Sequence, residues 1–168
     1  MIYTVFDTQR CFRALLDAMA EPGTVQPLDG GLPLVLATLV DHEVRLAEVG
    51  DPHWREADFV VVRGGSSHGD LAQARQGTLD DPAAGATAIY ELDAVGAGPL
   101  ALLLMGPGVG AEPRQLRLAG IAAEEIELFQ STRAGYPCGI DVILVGLDGR
   151  CAALPRSTTV EMLPEEVA

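Results

Sequence analysis

The sequence contains no lysine, because all 11 of its basic residues are arginine. Without a side-chain amine the chain cannot form a Schiff base, which excludes lysine-bound pyridoxal phosphate chemistry and lysine-type aldolases. A phosphate-binding P-loop also requires lysine, so a Walker-type nucleotidase is excluded. Any anion must therefore be held by arginine, by backbone N–H groups or by hydroxyl groups.

Basic charge and aromatic side chains are both scarce. The 11 arginines face 24 acidic residues, which gives a net charge of −13, and aromatic residues make up 5% of the chain. Nucleic acids are bound through clustered basic charge, and single strands also through aromatic stacking, so we expect no nucleic-acid partner. Both halves of the chain are acidic, so charge marks no separate arm or domain.

Cysteine and long apolar runs are also limited. Cys11, Cys138 and Cys151 are odd in number and have no CxxC spacing, which argues against a disulfide framework or a metal site. The longest apolar runs, such as residues 100–105, are far shorter than the roughly 20 residues that span a bilayer. The first residues lack the basic segment of a signal peptide. We therefore expect a cytoplasmic protein without membrane contact.

The length and the hydrophobic pattern predict one α/β domain over residues 1–168, with a fraying acidic tail at residues 164–168. Helices are predicted over residues 8–20, 34–40, 66–75 and 122–133. Strands are predicted over residues 44–49, 58–62, 86–92, 100–105, 115–118, 141–145 and 150–154, of which 100–105 is expected to be the most buried. Several strands are apolar on both faces, which predicts a mixed central sheet flanked by helices.

Two local features refine this prediction. Phe12, Leu15, Leu16 and Met19 recur with helical spacing, which predicts that they share one apolar face of the first helix, with Asp7 or Thr8 as its cap. The last two strands flank an Asp-Gly turn at residues 147–149, which is typical of a β-hairpin.

The segment after the last of these strands offers the best candidate site. Arg156 stands beside Ser157, Thr158 and Thr159, and arginine with hydroxyl groups can grip a phosphate or phosphonate. The alternative is a strand end whose hydroxyls bond to the local backbone. Asp141, at the start of a predicted strand, is either functional or a turn residue. Arg156, Thr158, Thr159 and Asp141 are the candidate substrate-binding residues, and no catalytic set is evident.

Three other segments have both a functional and a structural interpretation. The glycine-rich residues 106–110 could form a phosphate loop, but a tight connection between strands is the favoured interpretation. Residues 63–68 lie between a strand and a predicted helix, where an anion site or a serine-capped turn is expected. Glu124, Glu125 and Glu127 are expected to be solvated acids near a helix start.

Five segments carry ordered patterns along the chain. Residues 12–23 read FRALLDAMAEPG, 82–87 PAAGAT, 106–109 GPGV, 136–144 YPCGIDVIL and 154–161 LPRSTTVE. Together they resemble the H subunit of bacterial carbon–phosphorus lyase, a family that takes part in phosphonate breakdown. One such pattern alone is weak, but five in the same order are specific.

The resemblance implies a subunit of a transferase complex, ribose 1-methylphosphonate 5-triphosphate synthase. In that system the G, H, I and L subunits are associated with replacing the adenine of ATP by an alkylphosphonate, and a radical iron–sulfur subunit later breaks the carbon–phosphorus bond. It also implies the fold of pyridoxal-phosphate-dependent transferases without any cofactor, a homodimer, and a core complex with the G, I and J subunits.

The chain is then expected to be inactive alone, with ATP or a phosphonate as its possible ligand. A purely structural assembly module and a stand-alone anion-binding protein are the alternatives.

Overall fold

The computed structural model describes residues 2–164, so the tail predicted to fray lies almost wholly outside the described residues. Three α-helices lie in this range, α1 (Val5–Ala20), α2 (Gly31–Leu39) and α3 (Ala123–Arg133). The strands are β1 (Gln26–Pro27), β2 (Leu46–Glu48), β3 (Phe59–Val62), β4 (Thr87–Leu92), β5 (Ala94–Met105), β6 (Arg114–Ala119), β7 (Asp141–Gly146), β8 (Arg150–Leu154) and β9 (Thr159–Met162). No helix within residues 2–164 is both long and apolar enough to cross a bilayer.

The larger sheet has six strands in the order β1-β8-β7-β4-β3-β2. Strands β2, β3, β4 and β7 are parallel, whereas β8 is antiparallel to β7 and β1 is antiparallel to β8. The hairpin predicted at the Asp-Gly turn is the β7–β8 pair, and Gly149 supplies the positive φ of 82° in that turn. The predicted mixed central sheet flanked by helices is confirmed.

Both faces of the larger sheet are buried, because alternate residues of each central strand point to opposite sides. On one side, Tyr90 of β4 lies in a core with Ile126 and Phe129 of α3. On the other side, Ile89 of β4 lies in a second core with Leu15 of α1. The near-continuous apolar sequences of β3, β4 and β7 follow from this double burial.

The smaller sheet is antiparallel, with the order β6-β5-β9. It contains the apolar residues 100–105, which lie in β5 and not among the parallel strands. Leu102 and Leu104 are buried in the same core as Tyr90, whereas Leu103 is only partly buried. The prediction that this run is the most buried strand was wrong, because β7 and β8 are more completely enclosed.

The cap of α1 also differs from the prediction. Thr4 is the cap, since the backbone N–H of Asp7 donates to Thr4 Oγ1 at 3.2 Å and the N–H of Thr4 donates to Asp7 Oδ2 at 2.8 Å. This reciprocal arrangement is a capping box, and it extends the helix one turn beyond the predicted start. Asp7 therefore contributes as the acceptor inside the helix and Thr8 is an ordinary first-turn residue.

The predicted apolar face of α1 is only partly buried. Leu15 is buried, but Phe12 and Leu16 are 49% and 53% exposed. The helix instead faces the sheet with Cys11, Leu15 and Ala18. Two apolar stripes compete on this helix, and periodicity alone does not tell which of them meets the sheet.

The helix predicted over residues 66–75 is reduced to a single 3₁₀ turn, Asp70–Gln73. Gly69 precedes it at φ 83°, a left-handed conformation that is incompatible with a continuous helix.

Candidate functional site

The glycine-rich loop 106–110 packs on the end of α1. Arg114 holds the two together, since its Nη1 donates to the carbonyl of Pro22 at 2.6 Å and its Nη2 to the carbonyl of Val109 at 3.2 Å. Gly108 has φ +82°, and a Cβ at this position would lie 2.2 Å from the carbonyl oxygen of Ala20. The loop connects the antiparallel strands β5 and β6. Close packing in a connection between strands therefore accounts for its glycine.

Arg156 joins three segments that are distant in the sequence. Its Nε and Nη2 donate to the carboxylate of Asp141 at 3.2 and 3.0 Å, and its backbone N–H donates to the same carboxylate at 2.7 Å. Nη1 donates to the carbonyl of Pro82. A Cβ on Gly85 would lie 2.8 Å from that Nη1. Arg156 and Asp141 are thus brought together, as a bidentate pair that fixes the 82–85 turn.

The predicted hydroxyl residues follow in a tight turn. The N–H of Thr158 donates to the carbonyl of Pro155 at 2.9 Å. Thr158 is 1% exposed, and its Oγ1 has no hydrogen-bond partner among residues 2–164. Thr159 begins β9, pairs with Met105 and is exposed. The expectation that hydroxyls here bond to the local backbone does not describe Thr158.

A pocket of about 380 Å³ lies between the last turn of α3 and this turn. Its walls include Arg156, Thr158 and Thr159, and also Arg133, which sequence reasoning did not select. Arg133 was missed because an arginine in the last turn of a helix is ordinarily explained by the helix dipole. Nothing in the sequence shows that its side chain turns inward.

The guanidinium of Arg133 is bound only by uncharged groups. Nη1 donates to the carbonyl of Phe129 at 2.9 Å, and Nη2 donates to the carbonyls of Leu154 at 2.6 Å and Pro155 at 3.3 Å. Nε has no partner among the described residues. The pKa of Arg133 is lowered to about 10, chiefly by burial; the nearby Asp141 carboxylate opposes this shift, and the neighbouring Arg156 adds to it. The side chain is therefore still a cation at neutral pH.

Glu125 was expected to be solvated, and this prediction was wrong. It is 1% exposed and lies beneath the 63–68 segment. Its carboxylate accepts from the backbone N–H of Ser67 at 2.9 Å, from Ser67 Oγ at 2.9 and 3.0 Å, and from the hydroxyl of Tyr90. The segment suspected of holding an anion thus holds a carboxylate of its own chain.

The backbone of Gly65 lies very close to that of Gly120, and this close approach lets Ser67 contact Glu125. The φ of Gly65 is +73°, and a Cβ there would lie 1.8 Å from the carbonyl oxygen of Gly120. The N–H of Ala122 donates to the Gly65 carbonyl at 2.9 Å, which fastens the start of α3 to this turn.

Two of the three cysteines pack in the core. Cys11 and Cys151 are buried in the core beside α1, and burial raises the pKa of the Cys151 thiol to about 12. Burial also raises the pKa of Cys11. Because the thiolate is the reactive form, these two thiols are poor nucleophiles at neutral pH. The described residues contain no group of three or more His, Cys, Asp or Glu side chains placed to hold a metal ion.

A second crevice, of about 400 Å³, lies where the parallel strands β3, β4 and β7 end. Ligands of α/β sheets often bind at this edge. Here Glu91 and Asp93 line the crevice, and Arg63 bonds to Glu48 at 2.7 Å and lies 3.5 Å from Glu91. The local charge is acidic, so this crevice is less suited to an anion than the pocket at Arg133.

Comparison with known proteins identifies the family. The family model described as bacterial phosphonate metabolism protein (PhnH) matches residues 2–53 and 47–161. A putative C-P lyase subunit protein, HtxG, of Stutzerimonas stutzeri is 34% identical over 174 aligned residues, which cover 92% of this chain and 86% of the relative. The PhnH subunit of alpha-D-ribose 1-methylphosphonate 5-triphosphate synthase from Rhizobium meliloti is 26% identical over 186 aligned residues, covering 94% and 92%.

These matches confirm the resemblance drawn from the five ordered segments. The contacts at Arg114 and Arg156 show what those segments do locally, since each arginine ties two or more of them together. The chain belongs to the PhnH family of bacterial phosphonate metabolism proteins.

Proposed function

We propose that this chain is a subunit of the complex that transfers ribose triphosphate from ATP to an alkylphosphonate, with adenine displaced. The family match over residues 2–53 and 47–161 carries the proposal. Two relatives named as a putative C-P lyase subunit and as a synthase subunit support it. The chain is proposed to act within a complex, because both relatives are named as subunits.

The scaffold is proposed to be related to pyridoxal-phosphate-dependent transferases. Four parallel strands with an antiparallel β8 at their side support this relation. The sequence has no lysine to carry a Schiff base, so the scaffold serves binding and assembly instead of aldimine chemistry.

Arg156, Thr158, Thr159 and Asp141 remain the proposed substrate-binding residues. The bidentate contact between Arg156 and Asp141 supports a positioning role for this pair, since the carboxylate already occupies one edge of the guanidinium. Thr158, with its unused hydroxyl, and Thr159 line the same pocket as Arg156. Phosphonate, triphosphate or phosphate is the proposed ligand class.

The proposed partners are a second copy of the chain and the G, I and J subunits, with the L subunit as a functional partner, in the cytoplasm. The exposed apolar stripe formed by Val5, Phe12 and Leu16 on α1 supports the homodimer. Arg13 and Asp17 lie exposed on the same helix, so two copies related by a two-fold axis can place opposite charges side by side.

A reconstitution assay tests the proposed function. The purified G, I and L partners are mixed with ATP and methylphosphonate, with and without this chain, and adenine release is measured. We expect release only when this chain and its partners are both present. Full activity from the isolated chain, or equal activity without it, would refute the proposal.

A purely structural assembly role is the second candidate, and the clamp made by Arg156 favours it. In that case a complex carrying Arg156→Ala assembles and releases adenine at the wild-type rate. Lost turnover in a complex that still assembles on size-exclusion chromatography rejects this candidate.

A further inference from the structure

Two buried polar groups at the pocket between α3 and the 155–158 turn have no partner. Arg133 Nε and Thr158 Oγ1 are the buried side-chain atoms of residues 2–164 without a hydrogen bond. Both residues line the same pocket of about 380 Å³. Buried donors are almost always satisfied in folded proteins, so two unsatisfied ones around one pocket call for an explanation.

The two arginines of this pocket differ in how their charge is balanced. Arg156 is neutralised by Asp141 at 3.0 Å, whereas Arg133 forms no ion pair with a carboxylate of the described residues. The carbonyls at the end of α3 compensate its charge only in part, through the negative end of the helix dipole. Arg133 is thus a cation that carbonyl groups and the nearby Asp141 carboxylate compensate only in part, and such a cation in a poorly solvated pocket attracts an anion.

The two unused donors match one kind of ligand. A guanidinium N–H and a hydroxyl both donate to oxygen, and a tetrahedral oxyanion presents several oxygen acceptors at once. Both atoms are shielded from bulk water, so side chains of the pocket wall must change rotamer before a ligand reaches them. The exposed residues of this wall are Gln130, Ala134, Tyr136 and Thr159.

We propose that Arg133 is the principal cation of an oxyanion site in this pocket, with the Thr158 hydroxyl as its second donor and Arg156 as a positioning residue. The ligand class is a phosphorus oxyanion, either a phosphonate or the phosphate chain of a nucleotide. This choice of phosphorus rests on the proposed function. The site itself is inferred from Arg133 Nε and Thr158 Oγ1, the two buried donors without a hydrogen-bond partner.

Isothermal titration calorimetry with the full chain tests the site. Methylphosphonate and inorganic tripolyphosphate are titrated separately at matched ionic strength, which distinguishes the two sources of the oxyanion. We expect saturable binding of at least one of them by the wild type, and binding about tenfold or more weaker in Arg133→Gln, since one charge-assisted contact is lost. Arg117→Gln, a change on β6 outside the pocket, is expected to bind like the wild type.

Thr158→Val gives a second, nearly isosteric variant. Because it removes an unsatisfied buried hydroxyl, it is expected to unfold at the same or a higher urea concentration while binding the anion several-fold more weakly. A purely structural role of Thr158 does not predict this combination. If circular dichroism shows that Arg133→Gln does not fold, the anion affinity of Thr158→Val decides whether the site exists.

Three outcomes overturn the inference. These are absence of saturable binding both to the isolated chain and to its assembled complex, wild-type affinity in Thr158→Val, and wild-type affinity in a folded Arg133→Gln. Chain-dependent adenine release without anion binding overturns this inference and leaves the proposed function standing. Binding without chain-dependent adenine release has the opposite meaning, since it upholds the site and refutes the proposed function.

Discussion

Single residues in this protein differ most in how their charge is compensated. Glu125 is buried but accepts hydrogen bonds from Ser67 and Tyr90, so its carboxylate is well satisfied. Arg156 is satisfied by Asp141. The partly buried guanidinium of Arg133 is hydrogen-bonded by carbonyl groups alone. Glu125 and Arg156 thus make structural contacts within the chain, whereas Arg133 is the charged residue that the proposed oxyanion site uses.

Removing the Tyr90 hydroxyl tests the Glu125 cluster. Tyr90→Phe removes one donor to the buried carboxylate and leaves Oε2 with only the Ser67 hydroxyl, which it shares with Oε1, so we expect a loss of about 1–3 kcal/mol in the free energy of unfolding. Tyr136→Phe is the matched control, since that ring is 60% exposed, and it should change stability by less than about 0.5 kcal/mol. Urea unfolding at pH 7 measures both. Equal losses of stability in the two variants would contradict a stabilising contribution from the Tyr90–Glu125 hydrogen bond.

The same hydroxyl predicts a pH dependence at the alkaline end. Burial first, and then the Glu125 carboxylate, raise the pKa of Tyr90 above its ordinary value of 10.0. The folded state therefore keeps the proton that the unfolded state loses, so this contribution is complete below about pH 10 and declines as the pH rises. Between pH 9 and 11 the wild type should lose stability more steeply than Tyr90→Phe. Parallel curves in urea titrations at several pH values would contradict the shift.

Residue identity was enough to select part of the candidate site. Arg156 with its hydroxyl neighbours was found because an arginine beside several hydroxyls is unusual in the sequence, and Asp141 does meet Arg156. Arg133 and Glu125 were not found. Each lies in a terminal turn of α3 where its charge suits the helix dipole, so sequence alone gives no reason to place it inside. Their burial depends on how α3 packs on the sheet.

Secondary-structure elements were predicted well where the local sequence has a clear turn or strand pattern. The β7–β8 hairpin has an Asp-Gly turn, and the parallel strands β3 and β7 have apolar runs rich in β-branched residues. Strand β1 is only two residues long, and β9 contains polar residues that alternate with buried Val160, so neither was predicted. The sheet that β5 joins depends on contacts with β9, which lies more than fifty residues away in the sequence.

The start of α1 gives a direct comparison between two caps. Thr4→Ala removes the side chain that accepts from Asp7, and a lost cap costs about 1 kcal/mol of stability. Thr8→Ala lies within the helix, where alanine is the better helix former, so its effect should be close to zero or slightly stabilising. Thermal unfolding of both variants measures the difference. A larger loss in Thr8→Ala would mean that the helix begins where the sequence pattern placed it.

The glycine loop allows a second test at this scale. Gly108→Ala meets both a positive φ of 82° and the Ala20 carbonyl, whereas Gly110→Ala at φ 99° has open space around it. The conformational cost is about 1–2 kcal/mol for each, and the clash adds to it only at Gly108. We expect the larger drop in melting temperature for Gly108→Ala. Equal drops would show that the loop does not pack on α1 as described.

At the scale of the whole molecule, the chain is strongly acidic and yet exposes apolar residues on its first helix. A net charge of −13 favours solubility and disfavours random association. Phe12 and Leu16 are among its exposed large apolar side chains, and Val5 extends their stripe. Exposed apolar residues arranged along one helix face are typical of an interface. The buried face of α1 packs against the larger sheet, and its exposed apolar face supports the proposed homodimer.

Sedimentation velocity tests that interface. Wild type is expected to sediment as a dimer, and the double substitution Phe12→Glu with Leu16→Glu is expected to give monomers, because it places like charges opposite each other across a two-fold axis. Leu79→Glu, a change at an exposed leucine in another part of the chain, is the matched control and should remain dimeric. Circular dichroism confirms that each variant is folded. A monomeric wild type, or a dimer that survives both α1 substitutions, would exclude this face, and an α1 variant that is monomeric yet still supports adenine release would separate self-association from the function in the complex.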